Sequence, residues 1–331
     1  MKLDELINGI QTLGITGHVR PDGDCIGSTL GLYNYVKDNY PEIDVTLYLE
    51  EAKDGFSYMS RIDEIVHEMR EEDKTAVKDL FIICDCSTLD RIEPFAEVYE
   101  HAKKRACIDH HVSNLGDFAD VNEVKPEASS TCEVLYELLD ESRISKAVAE
   151  CLYTGIVHDT GVFKYSSTSG RTMAIAGKLM DLGIDFNDII DNSFYKKSYV
   201  QNQILGRALL ESVLFYDGKC IFSCIDEPTM KFYNVTGKDL GGVIEQLRLT
   251  DGVEVAIFLY QTGADEFKVS LRSKKYIDCA TIAMAQGGGG HKRAAGFTAY
   301  GKAVEIVNRI SDSLSLQFKE YEKTSKEGTL D

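Results

Sequence analysis

Positive charge is scarce in this chain. Its 331 residues carry 36 lysines and arginines against 54 aspartates and glutamates, a formal net charge of −18. Affinity for a long polyphosphate grows with the number of basic contacts that release counterions, so wholesale binding of duplex DNA is the first class excluded. Long apolar runs are missing too. The longest stretches, such as Leu80–Cys84, fall far short of the ~20 residues that cross a bilayer, and no membrane partner is expected. The start, Met1-Lys2-Leu3-Asp4-Glu5, lacks the apolar core of a secretory signal. Nine cysteines, an odd number scattered from Cys25 to Cys279, read as reduced thiols and not as a disulfide framework, and a soluble, cytoplasmic protein is expected. Apolar residues make up 44% of the chain, enough for packed cores, and at roughly 100–200 residues per domain the length suggests two of them.

Short β-branched runs alternate with helical patterns through the first part of the chain, at Gly14–Val19, Val45–Leu49, Leu80–Cys84 and Arg105–Ile108. That alternation predicts an α/β fold with βαβ units and a mostly parallel sheet flanked by helices. From Ser129 the pattern turns helical, over Ser130–Leu139, Lys146–Val157, Arg171–Leu182 and Tyr199–Val213. Strands then return. Val213–Tyr216 and Cys220–Cys224 flank an Asp217-Gly218 turn and read as a hairpin, followed by Val253–Tyr260, Glu266–Leu271 and an amphipathic helix from Lys302 to about Glu320. The expected organisation is a metal-binding catalytic domain over 1–190, a helical linker over 191–212, a smaller α/β substrate-binding domain over 213–322 and a frayed charged tail over 323–331.

Five of the seven histidines (His18, His110, His111, His158 and His291) fall in short segments that also concentrate Asp and Gly. His18-Val19-Arg20-Pro21-Asp22-Gly23-Asp24 comes directly off an apolar strand, Asp85 ends another, and Asp109-His110-His111 ends a third; Asp159 follows a helical pattern. In an open α/β sheet such strand ends face the ligand crevice. Gathering that many carboxylates costs several kcal/mol in repulsion unless cations neutralise them. Divalent metal resolves the conflict. Mixed carboxylate and imidazole donors favour Mn²⁺, with Mg²⁺, Fe²⁺ or Co²⁺ behind, over a tetrahedral structural zinc, and two ions about 3.5–4 Å apart form the usual hydrolytic pair for phosphate esters. The bland alternative is that each strand-end Asp caps a helix and each lone His is an ordinary hydrogen-bonded residue. The combination of all four segments outweighs it, with His158 left open and His67 and His101 assigned to solvated helix faces. Cys84 and Cys86 flank Asp85, and strand alternation predicts that both thiols face away from it.

Gly287-Gly288-Gly289-Gly290-His291-Lys292-Arg293 is a second signal. Freed backbone amides can line a phosphate nest, against the plainer reading of a glycine that ends a helix. Arg272, at the end of an alternating strand, is a candidate for gripping a second phosphate or equally a surface ion pair.

These motifs, His18-Val-Arg-Pro-Asp22-Gly-Asp24 with Gly27-Ser28, Asp85, Asp109-His110-His111, Asp159-Thr-Gly161 and Gly287–His291 with Ala294-Ala295-Gly296, resemble those of the DHH/DHHA1 phosphoesterase family, over nearly the whole chain and in the expected order. The closest likeness is to the nanoRNase type. The resemblance implies two Mn²⁺ per chain, one held by His18, Asp22 and Asp85 and the other by Asp24, Asp85, His110 and Asp159, with Asp85 bridging. Asp85, Asp109 and His111 would form the catalytic group, His111 facing the phosphate. Arg272, Gly288, Gly289, Gly290, His291 and Arg293 would bind substrate from the second domain, across a cleft between the two. The implied reaction is hydrolysis by metal-activated water of short oligoribonucleotides to nucleoside monophosphates and of 3′-phosphoadenosine 5′-phosphate to AMP, by a monomer or homodimer. A cyclic di-AMP or pApA phosphodiesterase, an inorganic pyrophosphatase and a non-catalytic nucleotide- or RNA-binding module are the rival readings.

Overall fold

The apolar run Leu80–Cys84 is the central strand of a five-stranded sheet in the computed structural model, which describes residues 2–52 and 55–327. The strands β1 (Thr12–Thr16), β2 (Asp44–Tyr48), β3 (Leu80–Cys84), β4 (Arg105–Asp109) and β5 (Val121–Val124) lie in the order β2-β1-β3-β4-β5. Every pairing is parallel, as the alternation of strand and helix predicts. β3 is buried at all five positions: Leu80, Ile82 and Cys84 face the larger core, and Phe81 and Ile83 face a smaller one on the opposite side. β5 carries no strand signal in the sequence, because Val121-Asn122-Glu123-Val124 is half-buried throughout and alternates only weakly.

Helices α1 (Leu3–Leu6), α2 (Gly23–Asn39), α3 (Glu71–Lys74) and α4 (Ala96–His101) belong to this first unit. So do α5 (Thr131–Leu138), α6 (Lys146–Asp159), α7 (Gly170–Asp181) and α8 (Phe186–Ile190), which runs into a π-helical turn, Asp191–Tyr195. Serine hydroxyls set three of these starts. Ser130, Ser145 and Ser169 each accept a hydrogen bond from a backbone N–H three residues on, satisfying a donor the helix leaves unpaired. α2 and α6 cross closely and antiparallel: Gly27 lies against Cys151 and Gly155, and Gly31 against Cys151 and Leu152. The start of α2 therefore meets the end of α6.

The chain divides after Lys196, and the second unit is built separately. α9 (Tyr199–Leu210), expected as a linker, packs Ile204 and Ala208 into this unit's own core. Its six-stranded mixed sheet contains β6 (Val213–Phe215), β7 (Cys220–Ile225), β8 (Val255–Gly263), β9 (Glu266–Ser273), β10 (Gly289–His291) and β11 (Ala294–Tyr300), in the order β10-β11-β9-β8-β7-β6. β6 and β7 form the expected antiparallel hairpin, with left-handed backbone at Tyr216, Asp217 and Gly218. Helices α10 (Glu227–Tyr233), α11 (Val243–Leu249), α12 (Cys279–Met284) and α13 (Ala303–Glu327) complete it. α13 buries Ile306, Val307, Ile310, Leu314 and Phe318, a spacing of three to four residues that gives one apolar stripe. It runs past the expected end near Glu320, and residues 328–331 of the tail expected to fray lie outside the described residues. Among the described residues no helix is long and apolar enough to cross a membrane.

Candidate metal centre

Each sequence-marked segment of the first unit reaches one place, beyond the C-terminal ends of β1, β3 and β4. β1 stops at Thr16, so His18 lies past the sheet, where it is 3% exposed. Its Nδ1 lies 2.9 Å from the carbonyl oxygen of Val19, which can only accept, so Nδ1 carries the proton and Nε2 is left as a donor atom for a cation. Nε2 is 3.7 Å from Asp22 Oδ2 and 3.5 Å from Asp85 Oδ2.

Asp22 is also the N-cap of α2: its Oδ1 accepts from the N–H groups of Asp24 and Cys25 at 3.1 and 3.2 Å. The capping reading and the ligand reading are thus both open to this residue, one oxygen each. Asp24 is fully buried and meets the start of a second helix, accepting from the N–H groups of Thr131 at 2.6 Å and Cys132 at 3.0 Å. Two helix N-termini therefore hold the carboxylates in place, each with its positive end toward them.

Asp85 has φ +57°, a left-handed conformation uncommon outside glycine and costing of order 1 kcal/mol or more. Its neighbours lie on opposite sides of the sheet, and among the described residues neither thiol belongs to a candidate metal group. Cys84 belongs to the larger core and Cys86 to the smaller one. Asp85 itself is 1% exposed, with Oδ1 accepting from Thr131 Oγ1 at 3.0 Å and lying 3.6 Å from His111 Nδ1 and 3.9 Å from His110 Nε2. His110 gives Nδ1 to the carbonyl of Ala128 and turns Nε2 to Asp159 Oδ2 at 2.9 Å and Asp24 Oδ2 at 3.9 Å. Asp109 stands behind this group. Its Oδ1 accepts from His111 Nδ1 and from the His110 N–H, both at 2.8 Å, and its Oδ2 from Asn114 Nδ2 at 2.8 Å.

The protonation equilibria report the crowding. Burial, then the charges of Asp85 and Asp159, push the Asp24 carboxyl well above the usual carboxylate range, and Asp159 is raised by burial. Burial works against charge on His110, but Asp159 and Asp24 overcome it and lift the imidazole to about 10. His18 is opposed by burial and raised in the same way by Asp22 and Asp85, while His18 brings Asp22 down to about 2 against its burial. Among the described residues the only cationic partners of Asp22, Asp24, Asp85 and Asp159 are imidazoles. Oxygen and nitrogen donors of His18 and Asp85, of Asp85, His110 and His111, and of Asp24, His110 and Asp159 fall within 4.8 Å of one another, so Asp85 and His110 each serve more than one group. This donor set fits a pair of hard or borderline divalent ions. Cys25 is what the sequence analysis missed: its Sγ joins the group of His18 and Asp85. Its position three residues after Asp22 was the available signal.

His158 is half-buried beside this centre, and desolvation lowers it to about 4. His67 and His101 are exposed, as expected, but only His101, the last residue of α4, is helical; His67 lies in a loop.

In the second unit, Arg272 on β9 gives Nε to Glu245 Oε1 at 2.9 Å, the ion pair that was the plainer alternative, and remains half-buried. The four glycines do not form a free nest. Gly287, at φ +78°, and Gly288 return their N–H groups to Met284 and Ala283, ending α12 in a Schellman arrangement, so the Gly288 amide is already used. Gly289, Gly290 and His291 form β10, paired with β11 and exposed. Arg293 Nη1 donates to the carbonyl of Lys274 at the tip of this hairpin.

Fold and site together define an α/β protein with a carboxylate–imidazole centre of metal-binding type at the C-terminal edge of a parallel sheet. The DHH family N-terminal domain matches residues 12–156 and the DHHA1 domain matches residues 217–319. The chain belongs to the DHH/DHHA1 family of phosphoesterases. It is 28% identical to the bifunctional oligoribonuclease and PAP phosphatase NrnA of Bacillus subtilis over 326 residues, 96% of this chain and 99% of that protein. It is 27% identical to the protein of the same description from Thermus thermophilus, over 87% of this chain and 84% of that one. Among solved structures, an exopolyphosphatase-related protein from Bacteroides fragilis superposes with a TM-score of 0.84 at 27% identity, covering 95% of this chain and 94% of that chain.

Proposed function

We propose that this protein hydrolyses short oligoribonucleotides to nucleoside monophosphates and 3′-phosphoadenosine 5′-phosphate to AMP, with two divalent ions, Mn²⁺ first among them. The observation that carries the reading is Asp85, a buried carboxylate within 3.9 Å of three imidazole nitrogens. The names of the relatives from B. subtilis and T. thermophilus support the substrates. His18, Asp22 and Asp85 would hold one ion, and Asp24, Asp85, His110 and Asp159 the other. Bound there, the pair supplies an activated water nucleophile and offsets the charge that builds on the phosphoryl oxygens.

The chain's own groups do the remaining work. Asp109 accepts the Nδ1 proton of His111 and raises its pKa, so the imidazolium persists toward neutral pH, and the partly exposed ring can donate from Nε2 to the departing ribose oxygen. Asp109, held in turn by Asn114 and the His110 N–H, is a positioning residue for that donor. The exposed Gly289, Gly290, His291 and Arg293, with the half-buried Arg272, would take the substrate's further phosphates or its terminus. Nine unpaired cysteines support a reducing, cytoplasmic setting.

The test is hydrolysis of end-labelled RNAs of two to about twenty nucleotides, with adenosine bisphosphate, pApA and pyrophosphate in parallel, in Mn²⁺. At a net charge of −18 with few basic contacts, turnover should fall as the RNA lengthens and respond weakly to salt. Preference for long strands, or hydrolysis of pyrophosphate alone, would sink the proposal.

A further inference from the structure

We infer that His158 is a positioning residue for the metal centre: its ring fixes where the backbone of Gly23 lies, and with it the spacing of Asp22 and Asp24. The inference rests on the metal-dependent reading above. Gly23 is the first residue of α2 and separates the two carboxylates assigned to different ions. A Cβ added to it would fall inside the van der Waals envelope of Cγ, Nδ1 and Cδ2 of His158. The imidazole therefore fills the space that any other residue at position 23 would need.

The ring is itself pinned. Phe56 and Phe194 flank it at centroid distances of 5.4 and 5.5 Å. Its Nε2 lies 3.1 Å from Ser193 Oγ, whose own proton goes to the carbonyl of Ile189 at 2.7 Å, so Nε2 carries a proton and Ser193 accepts it. Ser193 and Phe194 both come from the π-helical turn Asp191–Tyr195, a distortion found mostly at functional sites. On its other side His158 is followed by Asp159, the last residue of α6. One ring thus joins the start of α2, the end of α6 and the π-helical turn, and it holds the carboxylates of Asp22, Asp24 and Asp159 at set separations. A glycine without that wedge is the most conformationally free residue between two ligands.

The test is Mn²⁺ binding to the full-length protein, by titration calorimetry and by the electron paramagnetic resonance of free Mn²⁺, with thermal melting as control. His158→Ala should lose about tenfold or more in Mn²⁺ affinity, the range seen when groups behind metal ligands are removed. Gly23→Ala should lose a similar factor in the wild-type background and nothing further in the His158→Ala background, because the methyl then enters the vacated space. His158→Phe, which keeps a planar wedge without the Ser193 bond, should recover part of the affinity and serves if His158→Ala melts too low to study. Additive effects of the two alanine changes, or wild-type affinity in His158→Ala, would overturn the inference. A wild-type protein that binds no divalent ion would instead overturn the metal-dependent reading on which it stands.

Discussion

Asp85 concentrates the chemistry of the site in one side chain, and its backbone decides which substitution tests it. At φ +57° an alanine is strained, whereas asparagine tolerates the left-handed region and keeps the shape of the carboxylate without its charge. Asp85→Asn should therefore leave the far-ultraviolet circular dichroism unchanged and reduce turnover to the uncatalysed background; turnover near wild type would remove the bridging assignment. A second residue-scale expectation concerns the proton. The hydrogen bond from His111 to Asp109 is the main cause that holds the imidazole above its ordinary value, and an acid works only below its pKa. Asp109→Asn lowers that pKa, so the alkaline limb of the kcat profile should move to lower pH with kcat down roughly 10²-fold or more, while Mn²⁺ binding is retained. An unshifted limb would show that His111 is not the donor. Asp85 was legible in the sequence because it ends an apolar run. That Cys84 and Cys86 fall in different cores was not, since a single left-handed residue breaks strand alternation.

Among the elements, the crossing of α2 and α6 does most to build the centre. It brings Asp24 at one helix start to Asp159 at the other helix end, and glycines set its closeness. A Cβ on Gly155 would strike Cys132 Sγ and come 2.6 Å from Asp24 Oδ1, whereas one on Gly31 would lie 3.3 Å from Cys151 and Leu152 side-chain atoms. Gly155→Ala should thus destabilise by about 1–3 kcal/mol, the usual cost of overpacking, and weaken Mn²⁺ binding by displacing Asp24. Gly31→Ala should cost little in either measurement. Equal effects of the two in denaturant melts and metal titrations would contradict this account of the crossing. The longer helices from Ser130 onward were readable from apolar periodicity, and four strands of the parallel sheet from β-branched runs. β5 and β10 were not, for opposite reasons. Val121–Val124 is too evenly half-buried to alternate, and Gly289–His291 takes its conformation from pairing with β11, a long-range contact that a glycine run cannot announce.

For the molecule as a whole, the separation into two units was legible from the return of strands after the helical stretch. The ownership of α9 was not, because Ile204 and Ala208 show that it is buried without showing in which core. Net charge, also read directly, carries a consequence that spans the chain. Asp24, Asp159, His18, His110 and His111 all have pKa values raised in the folded, metal-free protein, so each holds its proton more tightly folded than unfolded. The stability they lend is complete below their unfolded values and is lost as pH rises, the His110 share on passing through about 10. Asp22 and Asp109, shifted down, act in the opposite sense, but their gain is complete once pH clears the ordinary carboxylate range near 4 and is constant above it. In chelator, the melting temperature should therefore fall between pH 6 and pH 8.5, and saturating Mn²⁺ should abolish the fall. Calorimetry in two buffers of different ionisation enthalpy should show protons released on binding, with affinity rising with pH. General repulsion at a net charge of −18 pushes metal-free stability the same way, so the variant that separates the two causes is Asp24→Asn. It removes a buried carboxyl facing Asp85 and Asp159 and changes the total charge by only one. Its metal-free slope should flatten and its metal-free melting temperature should rise at pH 8.5, whereas an unchanged slope would assign the pH dependence to overall charge and leave the buried cluster without a part in it.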